Sequence, residues 1–311
     1  MVANATSLTI TRVGRCGREP CCADCEDGDR IGWVIAFEEE RRVTSTSLEK
    51  AVLVVPASRE EAVKEFGDGS GVTVLAGGTI LMPEINYGRL RPERVLWLQN
   101  AGLAGISRNG SGLTIGAMTP VAELENGPEP LASTARQIAD PEVRAQATLG
   151  GNLCAPPGGE SPRGDLQAAL IAIGADVRTV GKGGERAEPI EDFVASGPDG
   201  RLVLEVELEE PTRAGSAAVR RPHSHAFTIL AVCAAETSKG IRIGVTGGSA
   251  HGVRARSVEQ ALAGGASTQD AAEKVLEDVE LRDDALASAW YRRRTLPVLV
   301  RRALDNLEGG E

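Results

Sequence analysis

Apolar positions follow two regimes along the chain. Through residue 47 they are sparse and aperiodic, broken by cysteines and by the charged run Glu38-Glu39-Glu40-Arg41-Arg42, and no element is predicted there. From Ala51 the pattern becomes regular. AVLVVP is a short strand, and Ser58-Arg59-Glu60-Glu61 carries the hydroxyl-to-carboxylate spacing of a capping box, opening a helix with Ala62, Val63 and Phe66 on one face. GVTVLAGG then reads as a strand ending in two glycines. A strand–helix–strand unit of this kind favours parallel pairing with a right-handed crossover.

TILMPEIN predicts a short helix, RVLWLQN a strand, and ISRNGSGLTIG a hairpin turning at Asn109-Gly110. PVAELEN and LASTARQIA predict two helices. Residues 147–165, ATLGGNLCAPPGGESPRGD, read as bare, irregular backbone placed directly before LQAALIAI, a helix apolar all round and therefore buried. ADVRTVGKGGERAEPI is a second hairpin, and RLVLEVELEE alternates as a half-buried strand. Composition shifts near Pro211–Gly215; beyond lie the apolar run FTILAVCAAE, the strand GIRIGVTGG and at least two helices. The expected organisation is an extension over 1–47, one domain over 48–213 and a second over 214–311. No internal repeat stands out.

Composition narrows the function. An apolar fraction of 41% over 311 residues supports real cores. No apolar run approaches the roughly 20 residues of a membrane span, and the first residues lack the apolar stretch of a secretion leader. Cytoplasmic location is the default expectation. A formal charge of -10 disfavours nucleic acid as a partner, and the clusters Arg292-Arg293-Arg294 and Arg301-Arg302 read as a solvated helix face.

Two stretches carry candidate chemistry: Ala76-Gly77-Gly78-Thr79 and Thr148-Leu149-Gly150-Gly151-Asn152. Each lies where an apolar segment gives way to a turn. Glycine lets backbone N–H groups approach a ligand with no Cβ in the way, and a turn leading into a helix aims several N–H groups at one point, an arrangement suited to phosphate. Thr79, Thr148 and Asn152 add polar side chains, so two such loops can grip a diphosphate from two sides. Tight-turn glycines are the competing explanation. Neither G-x-G-x-x-G after a strand nor G-x-x-x-x-G-K-[S/T] occurs, so a dinucleotide would not bind in Rossmann geometry.

The remaining reactive residues are few. His223, His225 and His251 are the histidines, and no nucleophile–base pair is legible. Cys16, Cys21, Cys22 and Cys25 fall within ten residues, with metal-ligand spacing in Cys22-x-x-Cys25 but a one-register miss of the plant-ferredoxin pattern. The reading kept is a surface-exposed or disordered extension, with metal binding and redox chemistry as the alternatives; no disulfide framework is expected in the cytoplasm. Cys154 and Cys233 read as small packed residues.

Taken together, these stretches resemble a known family. VTVLAGGTILMPEIN resembles the first FAD-binding loop of the medium subunits of xanthine dehydrogenases and carbon monoxide dehydrogenases. DPEVRAQATLGGNLCAP resembles their second loop, and GDLQAALIAIGADV their segment G-D-x-x-P-A-L-x-A-L-x-A. GIRIGVTGGSAHGVRARSVEQAL and LASAWYRRRTLPVLVRRAL resemble their C-terminal domain. The resemblance runs in the family's order from about residue 48 onward.

It implies an α+β fold: a two-lobed FAD-binding domain of the vanillyl-alcohol-oxidase/PCMH type, followed by a smaller C-terminal domain of antiparallel sheet with helices. It also implies a heterotrimeric molybdenum hydroxylase. A large subunit would hold the molybdenum cofactor, a small subunit the 2Fe–2S clusters, and this chain FAD, with NAD, oxygen or quinone as acceptor. Carried over by motif, the cofactor contacts are Ala76, Gly77, Gly78, Thr79 and Ile80 in the first loop. Thr148, Gly150, Gly151 and Asn152 follow in the second, then Asp165, with Leu204 and Arg221 on weaker alignment. Ile138 falls where some relatives have an aromatic residue. No residue is assigned a catalytic or metal-binding role.

This sequence departs from the family at Ile80, where many relatives have Asp or Ser, at Gln167-Ala168, where an x-Pro pair is commoner, and in the longer spacing from Asn152 to Asp165. Two other functions stay open: a stand-alone FAD-dependent oxidoreductase of the same fold, and a scaffold that has lost its flavin.

Overall fold

The computed structural model describes residues 51–110, 112–156, 164–221 and 227–309. The first lobe contains β1 (Val52–Val54), α1 (Arg59–Phe66), β2 (Val72–Leu75), α2 (Leu81–Asn86) and β3 (Arg94–Trp97). The Ser58 hydroxyl accepts from the Glu61 N–H at 3.2 Å, as the capping box requires, while the Glu61 carboxylate reaches one residue further back to the Ala57 N–H at 2.7 Å. The strands are parallel, but β1 and β2 do not pair with each other. Their order is β1-β3-β2, with both flanking strands bonded to β3. β3 brings the buried pair Val95 and Leu96, whereas Val52 and Leu53 of β1 are exposed; the strand with most to bury takes the centre.

The second lobe runs through β4 (Ile106–Asn109), β5 (Gly112–Gly116), α3 (Val121–Leu124), α4 (Leu131–Gln137), α5 (Pro141–Gln146), α6 (Leu149–Leu153) and α7 (Leu166–Ile173). It closes with β6 (Asp176–Gly181), β7 (Gly184–Pro189), α8 (Ile190–Ser196) and β8 (Arg201–Glu209), giving an antiparallel sheet of order β4-β5-β8-β6-β7. Both expected hairpins form. The stretch expected to be irregular does not stay so: residues 149–153 wind into α6, with Thr148 as N-cap accepting from the Gly151 N–H. An N-cap hydroxyl outweighs the helix-breaking tendency of two adjacent glycines here.

The chain ends with β9 (Arg213–Arg220), β10 (Thr228–Thr237), β11 (Gly240–Thr246), β12 (Val253–Arg254), α9 (Arg256–Ala263), α10 (Thr268–Glu273) and α11 (Ala289–Gly309). Its four strands pair antiparallel in the order β12-β11-β10-β9. β10 is apolar on both faces because both faces are covered. Leu230, Val232 and Ala234 pack with residues of α9 to α11, whereas Cys233 and Ala235 join the core that contains α7.

All eight residues of α7 are buried. Gly244 of β11 lets the sheet lie directly on this helix, since a Cβ there would sit 2.0 Å from the Ala168 carbonyl oxygen. At its far end α7 is closed by Gly174, left-handed at φ 76°, and the Arg242 guanidinium donates to the Ile171 carbonyl at 3.2 Å. Gln167 ties three pieces together. Its amide nitrogen donates to the Leu153 carbonyl at 3.0 Å, and its amide oxygen accepts from the Gly252 N–H at 2.6 Å. Glu191 of α8 takes Arg242, Arg254 and Arg256 from the C-terminal part at 3.2, 3.3 and 2.9 Å.

Burial pushes the Cys233 thiol up from 9.0 to about 12. Above about pH 9 the unfolded chain has lost this proton and the native chain still holds it, so its contribution to stability is complete below that pH and is lost as pH rises toward 12. Urea unfolding of the wild type and Cys233→Ala across that window checks this. The wild type should lose about 1.4 kcal/mol more per pH unit than the variant; parallel slopes would refute it.

Candidate functional site

A cavity of about 670 Å³ opens between the two lobes, within the range of small-molecule and cofactor sites. Four backbone segments wall it: the turn after β2, the turn before α5, the α5–α6 junction, and the Pro198–Gly200 turn leading into β8. Ala76, Gly77, Gly78, Thr79, Ile80, Thr148, Gly150, Gly151, Asn152 and Asp165 all line this one space.

Two residues expected at the site lie elsewhere. Leu204 is fully buried in the core with Ala62 and Leu98; its carbonyl accepts from the Ala117 N–H at 2.9 Å, and the Ala117 carbonyl accepts from Gly150 at 2.8 Å. Leu204 therefore supports the second loop from behind, while Leu202 and Val203 line the cavity. Arg221 is exposed past the end of β9, donating its backbone N–H to the Phe227 carbonyl at 3.1 Å, and does not line the cavity.

The two glycine loops touch. A Cβ on Gly77 would stand 1.8 Å from the Gln146 carbonyl oxygen, so only glycine lets the first loop close against the end of α5. Gly78 is needed for a different reason, its left-handed φ of 78°.

The loops also differ in what their amides do. Among the described residues, the N–H groups of Gly77, Gly78, Thr79 and Ile80 donate to no carbonyl or side chain. In the second loop Leu149 and Gly150 donate to Thr119 and Ala117 carbonyls, and Gly151 and Asn152 donate to the Thr148 hydroxyl and carbonyl. The symmetric two-sided grip expected from sequence is thus unequal. The first loop offers free donors; the second is an internally bonded wall. Asn152 further accepts from the Leu166 N–H at 3.0 Å, which fixes the start of α7.

The cavity's charges are mostly acidic: Glu84, Asp165 and Asp199. Arg201 is the basic residue among the described lining, and its guanidinium is engaged by Glu188, the Gly197 carbonyl and Ser196. A phosphate group here would be held by backbone amides rather than by a cation. Cys154 also lines the wall, and burial pushes its thiol up to about 12, so it is neutral near pH 7. Among the described residues no histidine lines the cavity.

Sequence reasoning missed the Pro198–Arg201 turn, although Pro-Asp-Gly before a strand is a turn spelling that could have drawn notice. The Ile138–Ala139 turn carries no such signal. The cysteines at 16, 21, 22 and 25, the histidines at 223 and 225, and residues 157–163 lie outside the described residues.

A cofactor-sized cavity walled by two glycine loops suits a cofactor with a phosphate group, and comparison with known proteins gives the class, a flavoprotein. The family model for the FAD binding domain in molybdopterin dehydrogenase matches residues 46–208, and that for the CO dehydrogenase flavoprotein C-terminal domain matches residues 215–307. The carbon monoxide dehydrogenase medium chain of Hydrogenophaga pseudoflava is 30% identical, over 80% of this chain and 94% of its own. The 6-hydroxypseudooxynicotine dehydrogenase complex subunit alpha of Paenarthrobacter nicotinovorans is 28% identical, over 81% and 92%. Among solved structures, the Hydrogenophaga pseudoflava carbon monoxide dehydrogenase lacking the Mo-pyranopterin moiety of its molybdenum cofactor superposes with a TM-score of 0.73 at 26% identity, covering 84% of this chain and 98% of that one. The chain belongs to the FAD-binding medium subunits of the molybdenum hydroxylase family.

The residues present fit that cofactor: free amides over a left-handed glycine, a wall without bulky side chains at the loop contact, and apolar surface from Val74, Met118 and Ile138. Gly77→Ala should weaken FAD binding at least about tenfold, because the added methyl forces the two loops apart. A fluorescence titration with FAD checks this; an unchanged Kd would mean that loop contact is not required.

Proposed function

We propose that this chain is the electron-transfer subunit of a molybdenum-containing hydroxylase. In this reading substrate is oxidised at the molybdenum cofactor of a large partner. Electrons pass through the 2Fe–2S clusters of a small partner to the FAD site here and on to an external acceptor: NAD, oxygen or quinone. FAD supplies the chemistry that joins single-electron carriers to a two-electron acceptor.

The observation that carries the reading is the first loop. Four free amides, Gly77 to Ile80, gather at a left-handed glycine on the wall of a cofactor-sized cavity. We assign Ala76, Gly77, Gly78, Thr79 and Ile80 to the cofactor diphosphate. We assign Thr148, Gly150, Gly151, Asn152 and Asp165 to the adjoining wall of the same cavity. Residues 48–213 form the cofactor domain and 214–311 the domain that braces it. In this reading the chain's own residues bind and orient the cofactor and exclude water. Burial holds the Cys154 thiol up at about 12, which favours its protonated form near pH 7.

The test is purification from the native host through a tag on this chain. A yellow protein with dissociable FAD, co-purifying with iron–sulfur and molybdenum subunits, is expected. The FAD-loaded chain alone should accept electrons from dithionite yet turn over no aldehyde or N-heterocycle with an artificial acceptor. Substrate-dependent turnover by the isolated chain would reject the relay and favour a stand-alone oxidoreductase. A chain with no flavin affinity would favour a scaffold.

A further inference from the structure

The cavity wall just before α5 contains a backbone feature that the motifs do not mark. Ala139 is left-handed at φ 42°, and among the described residues it is the non-glycine residue in that region. Such a conformation persists in an alanine only when its surroundings enforce it, and it is commonest where a site requires it. Both Ile138 and Ala139 line the cavity.

The enforcement comes from Arg144, at the end of α5. Its Nη1 donates to the Ile138 carbonyl at 3.0 Å and the Ala139 carbonyl at 3.2 Å. Its Nε is anchored by the Glu125 carboxylate at 2.6 Å, and the Arg144 side chain is 12% exposed. The guanidinium thus spans three acceptors on two segments. It joins the strained turn to the helix whose next residues, Ala147 and Thr148, open the second glycine loop. Asp140 completes the frame as N-cap of α5, accepting from the Val143 N–H at 2.9 Å.

We propose that Arg144, anchored by Glu125, is a positioning residue for the cofactor. It holds the Ile138–Ala139 wall in the left-handed shape and fixes its distance from the Thr148–Asn152 loop, so that the cavity is formed before the flavin enters. The inference rests on the cofactor reading above. A lysine cannot replace Arg144, because one ammonium has no planar fork to reach Glu125 and both carbonyls together.

The experiment measures FAD Kd, visible circular dichroism of bound flavin, and melting temperature with and without FAD, on the full chain. Arg144→Met and Arg144→Lys should each raise Kd roughly tenfold or more and alter the flavin dichroism. Glu125→Gln, which keeps an acceptor, should have a smaller effect in the same direction. Adding Ala139→Gly to Arg144→Met should return part of the lost affinity, because glycine adopts the left-handed turn without being held.

If the Arg144 variants lower the melting temperature equally with and without FAD while Kd and dichroism stay unchanged, Arg144 is only a fold residue and the inference falls alone. If Arg144→Met does not fold, Glu125→Gln decides: unchanged Kd and dichroism would overturn the inference. A wild-type chain that takes up no FAD would overturn the cofactor reading and this inference together.

Discussion

Helix α7 has one polar side chain, Gln167, and so must be covered on every side. Parts of the second lobe and one face of the C-terminal sheet cover it. The second lobe packs on it through Leu149, Leu153, Val177, Ile190 and Phe193, and the C-terminal sheet lies against it at Gly244 with Cys233 and Ala235. Burying a Leu or Ile side chain is worth about 1.5–3 kcal/mol, so a helix with Leu166, Leu170, Ile171 and Ile173 inside is a strong constraint on what surrounds it. Its ends inherit that rigidity. At the N-terminal end, Asn152 receives the Leu166 N–H and Gln167 holds the Leu153 carbonyl. The second glycine loop is therefore fastened to the most buried element of the molecule, and Gln167 fastens the same point to Gly252 of the C-terminal part.

This division of labour explains why two similar glycine loops behave differently. The loop tied to α7 spends its amides on Thr119, Ala117 and Thr148 and becomes a fixed wall. The loop after β2 is held mainly by close approach to Gln146 and by the left-handed turn at Gly78, leaving its donors free. Neutral donors suit a cavity that already contains Glu84, Asp165 and Asp199 and whose arginine is committed to Glu188. Amides fixed by the fold stabilise an anion without adding a mobile side chain that must be ordered on binding.

Much of this was legible in the sequence, and the gaps have physical causes. Periodicity marks the strands, the hairpins and the buried helix because each has a face to cover. The capping spelling at Ser58 places α1. What periodicity does not encode is which strands become neighbours: β3 enters between β1 and β2 through burial of Val95 and Leu96, a tertiary preference. The motif residues of the two loops do converge on one cavity, yet their individual reasons were not readable. Gly77 is a packing glycine and Gly78 a conformational one, although they are adjacent and look alike in sequence. Leu204 falls behind the wall because it sits further along β8 than Leu202 and Val203, and a weak alignment does not resolve that offset. Ala139 was silent because a left-handed alanine has no spelling; its cause is the guanidinium of Arg144, five residues away inside the stretch that resembles the family's second loop.

The departure from the family pattern at Gln167-Ala168 falls where the fold absorbs it. Relatives commonly place a proline near the start of α7, a position that tolerates a missing N–H. Here Ala168 stands where that proline would fall, and Gln167 just before it uses its side chain to bond both Leu153 and Gly252, a hydrogen-bonded brace between α6 and the C-terminal part. A buried amide of this kind is favourable only with its partners in place, since each group left unpaired costs about 1–3 kcal/mol. The brace therefore ties the second glycine wall to the C-terminal part: the turn at Gly252 cannot leave without exposing an unsatisfied amide beside the cavity. The C-terminal part thus holds this wall through Gly252 and adds Phe227 and Thr228 to the cavity lining.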